Sequence, residues 1–259
     1  MTPDDGVWVY AVTAGSPFPG GISGIRGVAG EELRTVDADG FTAVVGSVRL
    51  DAFGEDALRR NLEDLDWLAE TARRHDAVVA AICAGGATVP LRLATVYYDD
   101  DRVRTMLRDN AEQLSEALEQ ITDRSEWGLR CYLELPRTEQ PPSRPEGGRP
   151  SGTAYLMQRR AKAAARERAE TVAARRADEI FAELSRLAVA GVRQPPSPPD
   201  LATRRSPEIL NASFLVDNVR THEFVSAVEG VDARLDDVET VLTGPWPPYS
   251  FTSVEAGAR

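Results

Sequence analysis

Apolar residues run without a break from Val7 to Val12, Trp8 and Tyr10 among them. That pattern predicts a central strand buried on both faces. A loop rich in Gly and Pro follows, from Ser16 through Gly20 and Gly21 to Gly24. Residues 32–36 and 41–48 then read as two strands around Asp37-Ala38-Asp39-Gly40, a turn sequence in which Gly40 can take positive φ. From 55 to 83 the period lengthens. Leu58, Leu62, Leu65, Ala69, Ala72, Val79 and Ile82 recur at helical spacing, and Gly85-Gly86 closes the run. A short strand is predicted over 88–97, with Pro90 near its start. Asp99-Asp100-Asp101 then leads into a second helix that carries Val103, Leu107, Leu114, Leu118 and Ile121 on one face. Acids at a helix start complement its unpaired N–H groups.

The second half opens on a strict alternation. Leu129, Cys131, Leu133 and Leu135 are interleaved with Arg130, Tyr132 and Glu134, which is a half-buried strand. Residues 136–150, dense in Pro, Gly and charge, read as a loop. Residues 152–190 carry the longest helical pattern, roughly 55 Å at 1.5 Å per residue. Its later part has an apolar stripe at Val172, Ala173, Ala177, Ile180, Leu184 and Leu187, whereas its first part is mostly Ala and Arg. Pro195 to Pro199 interrupt the chain. A strand (210–216), a helix (219–231) and a strand (235–242) complete the pattern. The whole reads as α+β in two domains, 1–127 and 128–243, with an extended Pro/aromatic tail over 244–259. The second domain is close to a ferredoxin-like βαββαβ plan with one strand hidden near 201–205.

Charge narrows the partners. The first 150 residues hold 16 basic and 26 acidic side chains, while the whole chain is at −11. An acidic half disfavours nucleic acid and anionic lipid, which require clustered Lys and Arg. The sequence has no apolar run long enough to span a membrane. The start, Met1-Thr2-Pro3-Asp4-Asp5, carries acids where a signal peptide carries bases, so the expectation is a cytoplasmic protein. Cys83 and Cys131 stand far apart outside any CxxC, as two buried free thiols would.

Motifs of chemistry are scarce. His75 falls on the apolar stripe between Ala72 and Val79 and reads as a hydrogen-bonded core residue. His222 sits beside Glu223 at a helix start, and neither histidine belongs to an HExxH spacing. The glycine clusters match neither GxxxxGK[ST] nor GxGxxG. The three aspartates at 99–101 could face a cation, but helix capping accounts for them. No catalytic residue, cofactor, metal or small-molecule substrate is therefore expected. Arg159, Arg160, Lys162, Arg166 and Arg168 form the one basic cluster, either a solvated helix face or a docking surface for an acidic partner.

Several stretches resemble the gas vesicle protein F/L family. The tail Gly244-Pro245-Trp246-Pro247-Pro248-Tyr249-Ser250-Phe251 matches that family's most recognisable signature. The stretch from Asn211 to Val216 resembles its preceding strand, and Gly152 to Leu156 the start of its long helix. Trp67-Leu68, His75-Asp76 and the run from Thr88 through Pro90 and Arg92 to Val96 follow its W-L, H-E and PLRFGTV pattern. Here Leu93-Ala94 stands for Phe-Gly and Asp76 for Glu. The resemblance covers nearly the whole chain in order. It implies a two-domain α+β protein that is a minor component or assembly factor of gas vesicles. Its implied partners are the small hydrophobic shell protein and other gas vesicle accessory proteins. The alternatives from the residues alone are a generic helical interaction scaffold and an unrecognised ligand-binding or enzymatic ferredoxin-like domain.

Overall fold

The computed structural model describes residues 5–15, 24–134, 152–196 and 206–252. The chain forms two compact units. The first comprises the described residues through Glu126 together with those from Pro245 onward, and the second is Trp127–Gly244. The segment after Gly244, expected to be a separate tail, thus belongs to the first unit.

In the first unit β1 (Asp5–Ala14) lies inside the sheet, paired with β3 (Phe41–Arg49) on one side. Its other side takes β4 (Thr88–Pro90) and β5 (Val96–Tyr97), and β2 (Leu33–Ala38) flanks β3. The hairpin between β2 and β3 turns through Asp39 and Gly40, both at positive φ (50° and 81°), the geometry of a two-residue primed turn. Both faces of β1 are buried. Val7, Val9 and Val12 face one core with α4 (Asp100–Asp109) and α5 (Ala111–Ile121). Trp8, Tyr10 and Ala11 face another with α1 (Leu50–Phe53), α2 (Glu55–Asn61) and α3 (Leu65–Cys83). A bulge between Val9 and Ala11 shifts the register, which places Tyr10 and Ala11 in the same cluster.

Three sequence expectations are corrected here. The single helix over 55–83 is two helices, because Asp64 stops the run and caps α3, accepting from the amides of Asp66 and Trp67. The helix after Asp99 breaks at Asn110, whose side chain donates to the Met106 carbonyl. The strand over 88–97 is two short strands around a tight turn. There Ala94 sits at φ +66° and the Thr95 hydroxyl donates to the Arg92 carbonyl at 2.7 Å. As expected, Asp99 caps α4 through the Arg102 amide at 2.8 Å.

The second unit is β6 (Arg124–Leu133), α6 (Gly152–Ser185), β7 (Ala190–Arg193), β8 (Glu208–Asp217), α7 (Thr221–Arg234) and β9 (Val238–Trp246), with sheet order β7-β8-β6-β9. This is the ferredoxin-like βαββαβ order. The strand missing from the sequence pattern is β7, directly after α6, which ends at Ser185 rather than near 190. Positions 201–205, like the loop over 136–150, lie outside the described residues. The core gathers Leu129, Cys131, Ile180, Leu184, Phe214 and Phe224 between the sheet and the two helices. Asn211 anchors the end of this hairpin, its amide donating to the Pro195 carbonyl at 2.9 Å.

Candidate functional site

The conformation of β1 sets the chemistry on the α3 face of the first sheet. The Trp8 indole N–H can only donate, and it points at His75 Nδ1 at 3.1 Å. His75 Nε2 therefore carries the proton and donates to the Leu91 carbonyl at 3.0 Å. Both ring nitrogens are used, the ring is 1% exposed, and burial pushes its pKa down, so His75 is held neutral. Tyr10 stacks on the same imidazole and donates to Glu31 Oε1 at 2.5 Å. Burial, then the Glu31 hydrogen bond and charge, raises the phenol's pKa. His75 thus fastens α3 to both β1 and the Pro90–Arg92 segment.

The tail fastens to the same helix. β9 carries it in extended form through Trp246, and Gly244 takes φ +126°, which an L side chain rarely adopts. It then tightens into a single 3-10 turn at Tyr249–Phe251, a departure from the extended path expected to Phe251. Two carboxylates clasp this turn. The Tyr249 hydroxyl donates to Asp76 Oδ1 at 3.0 Å. Ser250 donates to Glu126 twice, from its amide at 2.9 Å and its hydroxyl at 2.5 Å. Glu126 is buried at 6% exposure, so these donors offset the cost of hiding a carboxylate. Phe251 and Pro248 are buried, whereas Trp246 is 54% exposed. Burial, then the Asp76 charge and hydrogen bond, raises the pKa of Tyr249.

The first unit also holds an open, mostly apolar cleft of about 510 Å³, lined by Leu50, Phe53, Leu58, Leu62, Val96 and Tyr98 together with the paired Glu55 and Arg59. Trp67, at the start of α3, packs its ring on Phe53 at 5.9 Å. Ala94, from the turn between β4 and β5, is also in the lining. Leu62, Leu65 and Tyr98 are exposed nearby. The structure thus brings Trp67, His75, Pro90, Arg92, Tyr249 and Phe251 into one unit around α3, whereas Asn211 and Gly244 belong to the other.

The basic cluster is elsewhere, on the first half of α6, where Arg159, Arg160, Lys162, Arg166 and Arg168 are all exposed. Arg166 pairs with Glu170 at 2.8 Å. Burial pushes the Cys83 thiol up to about 11 and the Cys131 thiol up to about 12, so both stay protonated at neutral pH. Among the described residues no group of three or more His, Cys, Asp or Glu could hold a metal ion, and no helix is long and apolar enough to cross a membrane.

Compared with known families, residues 6–253 match the model of "Gas vesicle synthesis protein GvpL/GvpF". The chain belongs to the GvpL/GvpF family. It is 39% identical to Gas vesicle protein L of Streptomyces sp. (strain CB03234), over 98% of this chain and 95% of that protein. To Gas vesicle protein F of the same strain it is 29% identical, over 73% and 80% of the two chains. The crystal structure of GvpF from Anabaena sp. PCC7120 shares the fold at a TM-score of 0.67 and 20% identity, covering 97% of each chain. Asp76 anchors the tail, and Ala94 occupies the left-handed region that glycine tolerates best. Sequence reasoning missed Trp8, Tyr10, Glu31 and Glu126. A bulge re-aims the second of these, and nothing near Glu126 in the sequence marks it as a clasp.

Proposed function

We propose that this chain is a non-catalytic accessory protein of gas vesicle assembly that binds the small hydrophobic shell protein. What supports this reading is the open, mostly apolar cleft of the first unit, lined from α1, α2 and β5. A subunit that builds a gas-tight wall exposes apolar surface before assembly, and such surface aggregates unless it is covered. A partner that covers it needs apolar surface and no reactive group. The basic residues from Arg159 to Arg168 add salt-sensitive steering, which acts on association rate more than on affinity. Other gas vesicle accessory proteins are further partners under the same reading.

A second reading takes the cleft as a small-molecule site, because about 510 Å³ falls within the usual range of roughly 300–1,000 Å³. A pull-down of the tagged full chain against each product of its gene cluster separates the two. The shell protein should be retained, and Leu62→Glu with Tyr98→Glu should release it while leaving the circular dichroism spectrum intact. Retention of no cluster product by the folded chain would reject the proposal. A small apolar ligand recovered with the purified protein would favour the second reading.

A further inference from the structure

One line along α6 changes character from end to end. In its second half the stripe Ala173, Ala177, Ile180 and Leu184 joins the core of the second unit. Counted back at 3.6 residues per turn, the same line runs through Arg166, Lys162 and Arg159, all exposed. Ala163 and Ala169 flank it, so no bulky side chain holds an approaching helix away. Of the three bases only Arg166 has an ion-pair partner among the described residues, and that is Glu170 on its own helix.

In the first unit α5 carries the opposite ladder. Leu114, Ala117, Leu118 and Ile121 are its buried side. Glu112, Glu116 and Glu119 stand exposed on the reverse side. None of these acids has an ion-pair partner among the described residues, and the arginines Arg104 and Arg108 of the preceding α4 go to Asp101 and Asp39. Glu112 and Glu116, four positions apart, repel each other along the helix unless opposite charge meets them. The spacings of the two ladders also match. The bases are set three and then four positions apart, the acids four and then three. Laid antiparallel, the two helices bring Arg159 opposite Glu119, Lys162 opposite Glu116 and Arg166 opposite Glu112.

We propose that the first half of α6 in one molecule packs antiparallel against α5 of a second copy through these three pairs. The occupant follows from charge complementarity in sign, number and register, which this chain itself supplies. Exposed ion pairs are individually weak, so the association is modest and falls with salt. Two different faces meet, so the contact closes when it is made twice across a two-fold axis and otherwise propagates. The pairing leaves the apolar cleft uncovered.

The test is sedimentation velocity of the purified full chain, with no shell protein present. The expected result is a weight-average mass that rises with concentration at low salt and falls back toward monomer at high salt. Arg159→Glu with Lys162→Glu and Arg166→Glu should weaken association about tenfold or more, and so should Glu112→Lys with Glu116→Lys and Glu119→Lys. Mixing the two variants should restore it, because each then supplies the charge the other has reversed. Reversing three exposed acids elsewhere, Glu63, Glu229 and Asp236, to Lys should leave association in place, which separates the ladder from net charge. All substituted positions are exposed, and circular dichroism checks that each variant is folded. A chain that stays monomeric across concentration at low salt overturns the proposal. So does association that survives either ladder reversal, a mixture no larger than its components, or an equal loss from the acids elsewhere. None of these outcomes bears on shell-protein binding, which the pull-down reads separately.

Discussion

Two aromatic residues five positions apart in the tail should differ sharply in what they contribute. Phe251 is buried at 9% exposure within the turn that Asp76 and Glu126 clasp, and Trp246 is 54% exposed. Phe→Ala in a packed site costs about 3–5 kcal/mol, through lost transfer energy and the cavity left behind. Phe251 keeps a little exposure, so the low end, about 3 kcal/mol, applies to Phe251→Ala. Trp246→Ala removes a ring already half in water, and the same reasoning gives about 1 kcal/mol or less. For a unit of this size about 3 °C follows from each kcal/mol, so the first variant should melt roughly 9 °C lower and the second within about 3 °C of wild type. Truncation after Gly244 removes the Glu126 donors as well, leaving a buried carboxylate without partners, and should give an insoluble or markedly less stable protein. Urea and thermal unfolding, followed by circular dichroism, measure all three. Equal losses from the two point variants, or a truncated chain that melts like the full one, would refute the clasp. The tail would then be free to act as a binding element.

Three further outcomes are expected. Ala94→Gly should raise stability by about 1 kcal/mol, because a non-glycine residue at φ +66° carries strain of roughly that size; a lower urea midpoint in the variant would contradict it. The neutral state of His75 contributes stability that is fully present above the unfolded pKa of about 6.5 and is lost as the pH falls below it toward the depressed folded value. Wild type should therefore lose more stability than His75→Gln between about pH 7.5 and 5.5, and parallel pH profiles would count against the buried tautomer. Reversing Arg159, Arg160 and Arg166 together should slow shell-protein association several-fold at low salt and leave the melting curve unchanged; identical rates across salt would reduce the cluster to a solvated helix face.

Much of this architecture was legible because periodicity follows burial. β1 reads as an unbroken apolar run since both of its faces are covered, and the Ile180–Leu184 stripe marks where α6 meets its core. What stayed hidden was local or long-range. Asp64 interrupts a helical pattern through its own hydrogen bonds without breaking the apolar spacing, so two helices look like one. β7 is only four residues long and half-buried at best, too short for any alternation to show. The bulge at Tyr10 depends on the register of two strands, and the clasp joins residues 124 positions apart. The tail's aromatic signature also hides a difference in backbone, because Trp246 ends an extended strand and is exposed whereas Phe251 closes a turn and is buried.

Light scattering decides whether this chain covers the apolar surface of the shell protein, as proposed. Denatured shell protein is diluted into buffer containing the folded chain, with no nucleotide or other small molecule added. Scattering should fall as the chain approaches an equimolar ratio, and Leu62→Glu with Tyr98→Glu in the cleft should abolish the effect. A scattering curve unchanged by excess folded chain would contradict the claim.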